Sequence, residues 1–276
     1  MKKFLTDMHT HSTYSHDGVN TLAEMLAAAQ KAGVDFYGVS EHFDYGYDLS
    51  LMDPEVAAFV SGNADPNEYF HGARHLQEDY EGVMNVAVGA EFGYSDLESV
   101  QKKYVETYEK FRPDFVINSV HGANGTDFAY TEMKATKEEV YKAYLRLIRE
   151  SLDVPYPYDI VGHIGYVARY VNYADRSLSL EEFGAEIDDI LQTIIQKDKI
   201  LEVNSSNKGL ENRTIPAREI IERYYELGGR KISYGSDTHF IARIMDKRDE
   251  VVEMLKEIGF DYITVPFRGE HIKVEI

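Results

Sequence analysis

Met8-His9-Thr10-His11-Ser12 ends one short apolar run, Phe4–Met8, and Gly235-Ser236-Asp237-Thr238-His239 ends another, Lys231–Gly235, near the opposite end of the chain. Side chains on an extended segment alternate with period two, so His9 and His11 share a face and one ion can take both imidazoles. Between these stretches lie further β-like runs: Phe36–Ser40, Asn85–Ala90, Phe115–Val120, Asp159–Gly162 and Ile200–Asn204. Ligand-type residues end them in turn: Glu41 and His42, Glu91, His121, His163 and Asn204, with Asp17 in the loop behind the first run. They fall always at the carboxyl end, where parallel α/β folds place their sites.

Helical patterns separate the runs. Thr21-x-x-Glu24 and Thr136-x-x-Glu139 have the form of capping boxes, and Ser95-x-x-Glu98 and Ser179-x-x-Glu182 read the same way. Leu22, Met25, Leu26 and Ala29 follow the first at helical spacing, and Gly33 supplies a stop. Val140, Tyr144 and Leu147 share the face expected of the helix after Thr136, and Phe183, Ile187, Ile190, Leu191 and Ile194 that of the helix after Ser179. Ile215–Leu227 and Lys247–Ile258 read as two more helices, and Tyr262–Val265 as a closing strand. Strand–helix alternation means parallel βαβ units. In an open sheet, seven strands at ~4.8 Å spacing would leave the first and seventh about 29 Å apart. His9 and Asp237 could not then share a site. Rolling the strands into a barrel brings every ligand-type end to one mouth, so a closed or nearly closed barrel of seven units is expected. The longest irregular stretch, about Phe43–Pro66, follows the second run and is a candidate lid.

Composition bounds the rest. The chain has 276 residues, near the ~250 typical of a (β/α) barrel, and residues 1–276 read as one domain without linker or repeat. Apolar residues make up 43%, enough for a core, and no apolar run approaches the ~18 residues of a membrane span. A charge arrives too early at the start for a signal peptide, so a cytoplasmic protein is expected. The absence of cysteine excludes disulfides, thiolate metal sites and cysteine nucleophiles. A net charge of −19 repels nucleic acid and anionic membranes, and leaves a small molecule as the expected partner.

The ligand candidates are His9, His11, Asp17, His42, Glu91, His121, His163, Asp237 and His239, too many for one ion and enough for two or three. Imidazole and carboxylate suit divalent Zn, Mn or Fe. Glu91, on a central run, is the natural bridge. Paired metals activate water at neutral pH and clamp both ends of an in-line displacement, which points to hydrolysis of a phosphate ester.

Met8-His9-Thr10-His11-Ser12 through Asp17-Gly18, then Ser40-Glu41-His42, Gly89-Ala90-Glu91, Ser119-Val120-His121, Gly162-His163 and Gly235-Ser236-Asp237-Thr238-His239, resemble the PHP (polymerase and histidinol phosphatase) superfamily in motif order. Gly162 to Tyr170 and Leu201-Glu202-Val203-Asn204 are similar to its stand-alone histidinol-phosphate phosphatases. The resemblance implies a distorted (β/α)7 TIM-like barrel, a trinuclear centre at the C-terminal ends of the parallel strands, and hydrolysis of L-histidinol phosphate in histidine biosynthesis. It implies that His9, His11, Glu91 and Asp237 hold one metal, Glu91, His121 and His163 a second, and Asp17, His42 and His239 a third. Glu91, Asp237, His239 and Arg169 are the expected catalytic set. Arg169 matches a phosphate-contacting arginine, Asn204 is a further expected substrate contact, and His16, beside Asp17, reads as either a substrate contact or a solvated loop histidine. The family often carries a second arginine shortly after the asparagine. Here Ser205-Ser206-Asn207-Lys208 follows, and Lys208 or Arg213 stands in its place.

Other readings of these residues are weighed against that one. His71 and His75, at i and i+4, could take a metal from one helix face but have no third partner in sequence. His271 reads as structural. Glu41 is either a ligand or an orienter of a metal histidine, and Glu41 and His16 are the candidates for the proton donor. A PHP-type enzyme for another phosphate ester or diester is one alternative. An amidohydrolase barrel also begins H-x-H, but its fourth strand would end in a carbamylated Lys or a Glu where this chain has His121. A non-catalytic metal-binding module is the last alternative.

Overall fold

The computed structural model describes residues 4–62, 64–207 and 214–276. Seven strands form the centre: β1 (Thr6–Asp7), β2 (Phe36–Val39, resuming at His42–Phe43), β3 (Asn85–Val88, resuming at Ala90–Gly93), β4 (Val116–Ser119), β5 (Ile160–Val161), β6 (Ile200–Asn204) and β7 (Ile232–Gly235). All neighbours are parallel: β1 on β2, β2 on β3 in both its halves, then β4, β5, β6 and β7. The ring closes from β7 to β1. Met8 N donates to Tyr234 O at 3.1 Å, Asp237 N to His9 O at 2.8 Å and His11 N to Thr238 O at 2.9 Å, and Thr10 bridges Thr238 in parallel. The expected seven-unit barrel is therefore observed, and its seam is the pairing of the two sequence stretches that predicted it.

Helices follow each strand: α1 (Leu22–Lys31) after β1, α2 (Pro54–Val60) and α3 (Pro66–Asp79) after β2, α4 (Glu98–Phe111) after β3, α5 (Lys137–Ser151) after β4, α6 (Leu180–Gln196) after β5, α7 (Arg218–Glu226) after β6 and α8 (Arg248–Ile258) after β7. None of the helices among the described residues is long and apolar enough to cross a membrane. The capping boxes at Thr21/Glu24 and Thr136/Glu139 are both complete, and Gly33 takes the positive φ of 79° that ends α1. Leu22, Met25, Leu26 and Ala29 are buried as expected, and α6 buries Phe183, Ile187, Ile190, Leu191 and Ile194. Each Leu, Ile, Met or Phe side chain among them contributes about 1.5–3 kcal/mol when fully buried.

Several expectations are corrected. Ser95 does not cap α4. Its hydroxyl accepts from Leu97 N in a local turn, and Leu97 stands at the N-cap without a side-chain bond. On α5 the buried face runs through Val140, Tyr144 and Ile148, with Leu147 only half-buried. α7 begins at Arg218, not Ile215, because the backbone of Ile215 is engaged in an antiparallel bridge with Asn204. Phe43–Pro66 is not structureless, since it contains α2 and a 3-10 turn at Leu49–Leu51. Tyr262–Val265 belongs to β8 (Tyr262–Phe267), which pairs antiparallel with β9 (Glu270–Glu275). This hairpin lies at the barrel's N-terminal end, where His271 meets Lys231 Nζ at 3.0 Å and Asp159 Oδ1 at 3.3 Å, residues that precede β7 and β5. His271 is thus structural, as read from the sequence.

The interruptions in β2 and β3 position the site. Tyr69 of α3 donates to Val39 O and Gly89 O, and Tyr104 of α4 reaches Phe43 O and Gly93 O, both at 2.6 Å. Tyr69 thus ties the two strands together at their breaks, and Tyr104 ties the ends of their resumed segments. Glu41, His42 and Glu91 lie between the anchored points.

Candidate metal centre

Glu91 is fully buried, and its two oxygens face different histidines. Oε1 lies 2.9 Å from His163 Nε2 and 3.0 Å from His121 Nε2, and accepts from Ser119 Oγ at 2.6 Å. Oε2 lies 2.8 Å from His42 Nδ1, 3.3 Å from His9 Nε2 and 3.6 Å from His11 Nε2. Asp237, from beyond β7, brings Oδ1 to 3.5 Å from His11 Nε2 and 3.8 Å from His9 Nε2. Its φ of 51° is left-handed, a strained state for a non-glycine residue that aims its carboxylate into the barrel mouth. On the outer side, Asp17 Oδ2 lies 3.1 Å from His239 Nε2, and its Oδ1 lies 3.7 Å from His42 Nε2. All nine ligand candidates therefore converge. His42 stands between two groups, its Nδ1 toward Glu91 and its Nε2 toward Asp17 and His239.

His9 Nε2, His11 Nε2 and Asp17 Oδ1 are buried without a hydrogen-bond partner. Each such atom costs about 1–3 kcal/mol unless something satisfies it. Donor triads close enough to share an ion include His9/His11/Asp237, His42/Glu91/His121 and His11/His42/His239. Nitrogen and oxygen donors without thiolate fit a divalent transition metal. Charge agrees with geometry. Burial pulls His9 and His42 down, but carboxylates outweigh it: Glu202, Glu91 and Asp237 hold His9 well above its usual range, and Glu91 and Asp17 raise His42 to about 9. Burial raises Glu91 and Asp237, yet the histidines, His9 foremost, hold both carboxyls well below theirs. A cation at this point meets carboxylates that are already ionised.

Arg169, on a 3-10 turn after His163, is buried, not a surface salt-bridge partner. Its Nη2 donates to Asn204 Oδ1 at 3.1 Å and Asp237 Oδ2 at 3.2 Å. Arg169, His16, Asp17, His42, His121, His163, Asp237 and His239 all line one cavity of about 460 Å³, whose aromatic wall includes Tyr47, Tyr130, Tyr166 and Tyr170. Asn204 touches the site through Arg169 and Asp237. Lys208 and Arg213 lie outside the described residues. Among the described residues of the stretch read as a lid, only Asp44 and Tyr47 reach this cavity, while Phe59 packs edge-on against His16 with ring centroids 4.8 Å apart.

Glu41 does not line the cavity. Its carboxylate accepts from Ser12 N, Ser12 Oγ and Ser15 Oγ, and Ser15 Oγ in turn accepts from His42 N and lies 3.4 Å from His11 Nδ1. It holds the loop that carries the ligands. Three carboxylates escaped the sequence reading: Glu202, 2.6 Å from His9 Nδ1; Asp44, 2.9 Å from His121 Nδ1; and Asp127, on the cavity wall with Tyr47 OH donating to it at 2.5 Å. His71 and His75 lie exposed on α3, with His71 Nδ1 2.7 Å from Asn67 O of its own helix. Changing both to Ala is expected to leave metal content at the parent level and kcat within a few-fold, as elemental analysis and steady-state kinetics would show. A large loss of metal would place a site on α3.

A closed seven-stranded α/β barrel with clustered imidazoles and carboxylates at its C-terminal mouth defines a metal-centred barrel. Residues 7–206 match the PHP domain, and the chain belongs to that family. The histidinol-phosphatase of Lactococcus lactis is 28% identical over 270 residues, 94% of this chain and 93% of that one. A probable histidinol-phosphatase of Clostridium acetobutylicum is 28% identical over 236 residues, 85% of this chain and 86% of the other. The crystal structure of L. lactis histidinol phosphate phosphatase with zinc, L-histidinol and phosphate aligns at a TM-score of 0.81 and 24% identity, covering 98% of this chain and 99% of that one. The likeness is one of fold, the distorted TIM-like barrel.

Proposed function

We propose that this protein is a metal-dependent phosphomonoesterase that hydrolyses L-histidinol phosphate to L-histidinol and phosphate. The carrying observation is Glu91, whose two oxygens face two separate histidine sets, of which His42, His121 and His163 also line a cavity shared with a buried arginine. The relatives named histidinol-phosphatase, aligned over most of the chain, support the choice of ester. In this reading His9, His11, Glu91 and Asp237 would hold one metal, and Glu91, His121 and His163 a second. Asp17, His42 and His239 hold a third. Divalent metals held there supply a nucleophile from water at neutral pH and Lewis-acid neutralisation of the phosphate oxygens.

The chain's own residues do the rest. Arg169 turns its guanidinium to the phosphate while Asp237 and Asn204 fix its orientation. As the P–O bond to the alkoxide breaks, the leaving oxygen takes a proton. Of the two candidate donors, His16 lies on the cavity wall and Glu41 behind the loop; burial pulls the His16 imidazole below its ordinary range, so it donates as its minor, protonated form. Asp127, with Tyr47 and Tyr166, gives the substrate's cationic end a negative wall. The acidic chain suits a small cationic ester and not nucleic acid. As an enzyme of amino-acid biosynthesis, it is assigned to the cytoplasm, acting through the single domain of residues 1–276.

A panel of phosphomonoesters, phosphodiesters and amides, assayed with added Zn or Mn, tests the proposal. Histidinol phosphate is expected to give the highest kcat/KM, and preference for a diester or an amide would overturn the assignment. Elemental analysis of metal-supplemented protein is expected to find more than one transition metal per chain. One or fewer in fully active protein would remove the polynuclear centre.

A further inference from the structure

Glu202 lies on β6 and is 1% exposed, on the inner side of the barrel, and the proposed reaction gives it no role. Its carboxylate spans two strands. Oε1 meets His9 Nδ1 at 2.6 Å, and Oε2 accepts from His163 N at 2.6 Å. In the proposed site these two residues serve different metals. The fit depends on a missing side chain: a Cβ on Gly235 would stand 2.4 Å from Glu202 Oε1 and 2.5 Å from His9 Cβ. A glycine at that point of β7 is what lets the carboxylate reach the imidazole.

We infer that Glu202 is a positioning residue for metal binding: it fixes the tautomer of His9 and ties it to the backbone of His163, so that one carboxylate sets two metal positions. The inference rests on the proposed metal centre. Both partners of Glu202 must be donors. The His163 N–H has no other state, and His9 must keep its proton on Nδ1 for Nε2 to offer a lone pair. A carboxylate accepts from both. The isosteric amide of Glu202→Gln cannot. If its oxygen takes the His163 N–H, its NH2 faces His9 Nδ1, turns that nitrogen into an acceptor and moves the proton to Nε2, where it blocks a ligand position. If it is flipped, its NH2 opposes the His163 N–H.

Zinc affinity, measured by competition with a chromogenic chelator on metal-stripped protein, tests the inference. Glu202→Gln is expected to weaken zinc binding by about 10- to 100-fold, the range for outer partners of metal ligands. Glu202→Asp, one methylene shorter, recovers part of this, because it keeps two acceptors but cannot reach both donors. Gly235→Ala, which changes no polar group, is expected to weaken zinc as well by pushing Glu202 from His9. Parent-like affinity in Glu202→Gln overturns the inference. So does a crystal structure of the unmodified zinc-loaded protein with a Glu202 oxygen within about 2.2 Å of an ion, which would make it a ligand. That structure decides the matter even where a variant fails to fold. Unmodified protein that binds zinc yet leaves histidinol phosphate intact would remove the proposed function and leave the role of Glu202 standing, since the readout is zinc.

Discussion

Glu91→Gln is expected to lose metal and to lower kcat/KM for histidinol phosphate by at least about a thousandfold, or ~4 kcal/mol of transition-state stabilisation. The substitution keeps shape and volume and removes one acceptor oxygen and the charge. Glu91 touches five histidines through two oxygens, so the amide nitrogen falls on one of the two sets whichever way it turns. An amide nitrogen has no lone pair for a metal. The amide oxygen still serves the other set, so partial loading at high zinc is expected, without the charge that balances the cluster. The fold should survive, because Glu91 sits at the mouth while the buried Phe92 and Ala90 of the same strand stay in the core. Far-UV circular dichroism, elemental analysis and kinetics on one preparation separate these effects. A folded variant with full metal content and near-normal turnover would exclude Glu91 from the centre.

How far such a site is legible in sequence depends on the range of the interaction. The ligands could be read because a parallel strand delivers its last residue to one end of the fold whatever its neighbours, so His121 or His163 needs only its own strand to be placed. The capping boxes at Thr21 and Thr136 are equally local. Ser95 shows the limit, because the same spacing there closes a turn one residue before the helix. Glu202 and Asp44 were out of reach for another reason. Their partners lie 193 and 77 residues away, and a polar residue inside a strand, as Glu202 is, or just past one, as Asp44 is, gives no sign of which way it turns until the barrel closes. The resumption of β3 at Ala90 was likewise hidden. Asn85–Ala90 reads as one run that ends at Glu91, whereas the strand breaks at Gly89, whose carbonyl Tyr69 bonds, and continues through Gly93.

Arg169 supports the second large prediction. It is buried beside Asp237, and burial of its charge is offset by that carboxylate, which holds the guanidinium firmly protonated. Nη2 is committed to Asn204 and Asp237, while Nε has no hydrogen-bond partner. A guanidinium held at Nη2, in the wall of the cavity, keeps its remaining N–H groups for charge-assisted bonds to a phosphate. Such bonds contribute about 1.5–3 kcal/mol each, so Arg169→Ala should cut kcat/KM by roughly tenfold to a few hundredfold. Metal content at saturating zinc should hold, because Asp237 Oδ2 keeps Asn204 Nδ2 at 3.3 Å and Oδ1 still faces His9 and His11. Arg169→Lys should recover only part of the loss, since one ammonium cannot satisfy Asn204 and Asp237 and also reach the phosphate. Histidinol phosphate kinetics beside elemental analysis give the comparison. If Arg169→Ala turns the substrate over as well as the parent, the phosphate is held elsewhere, and Lys208 and Arg213 become the residues to change next.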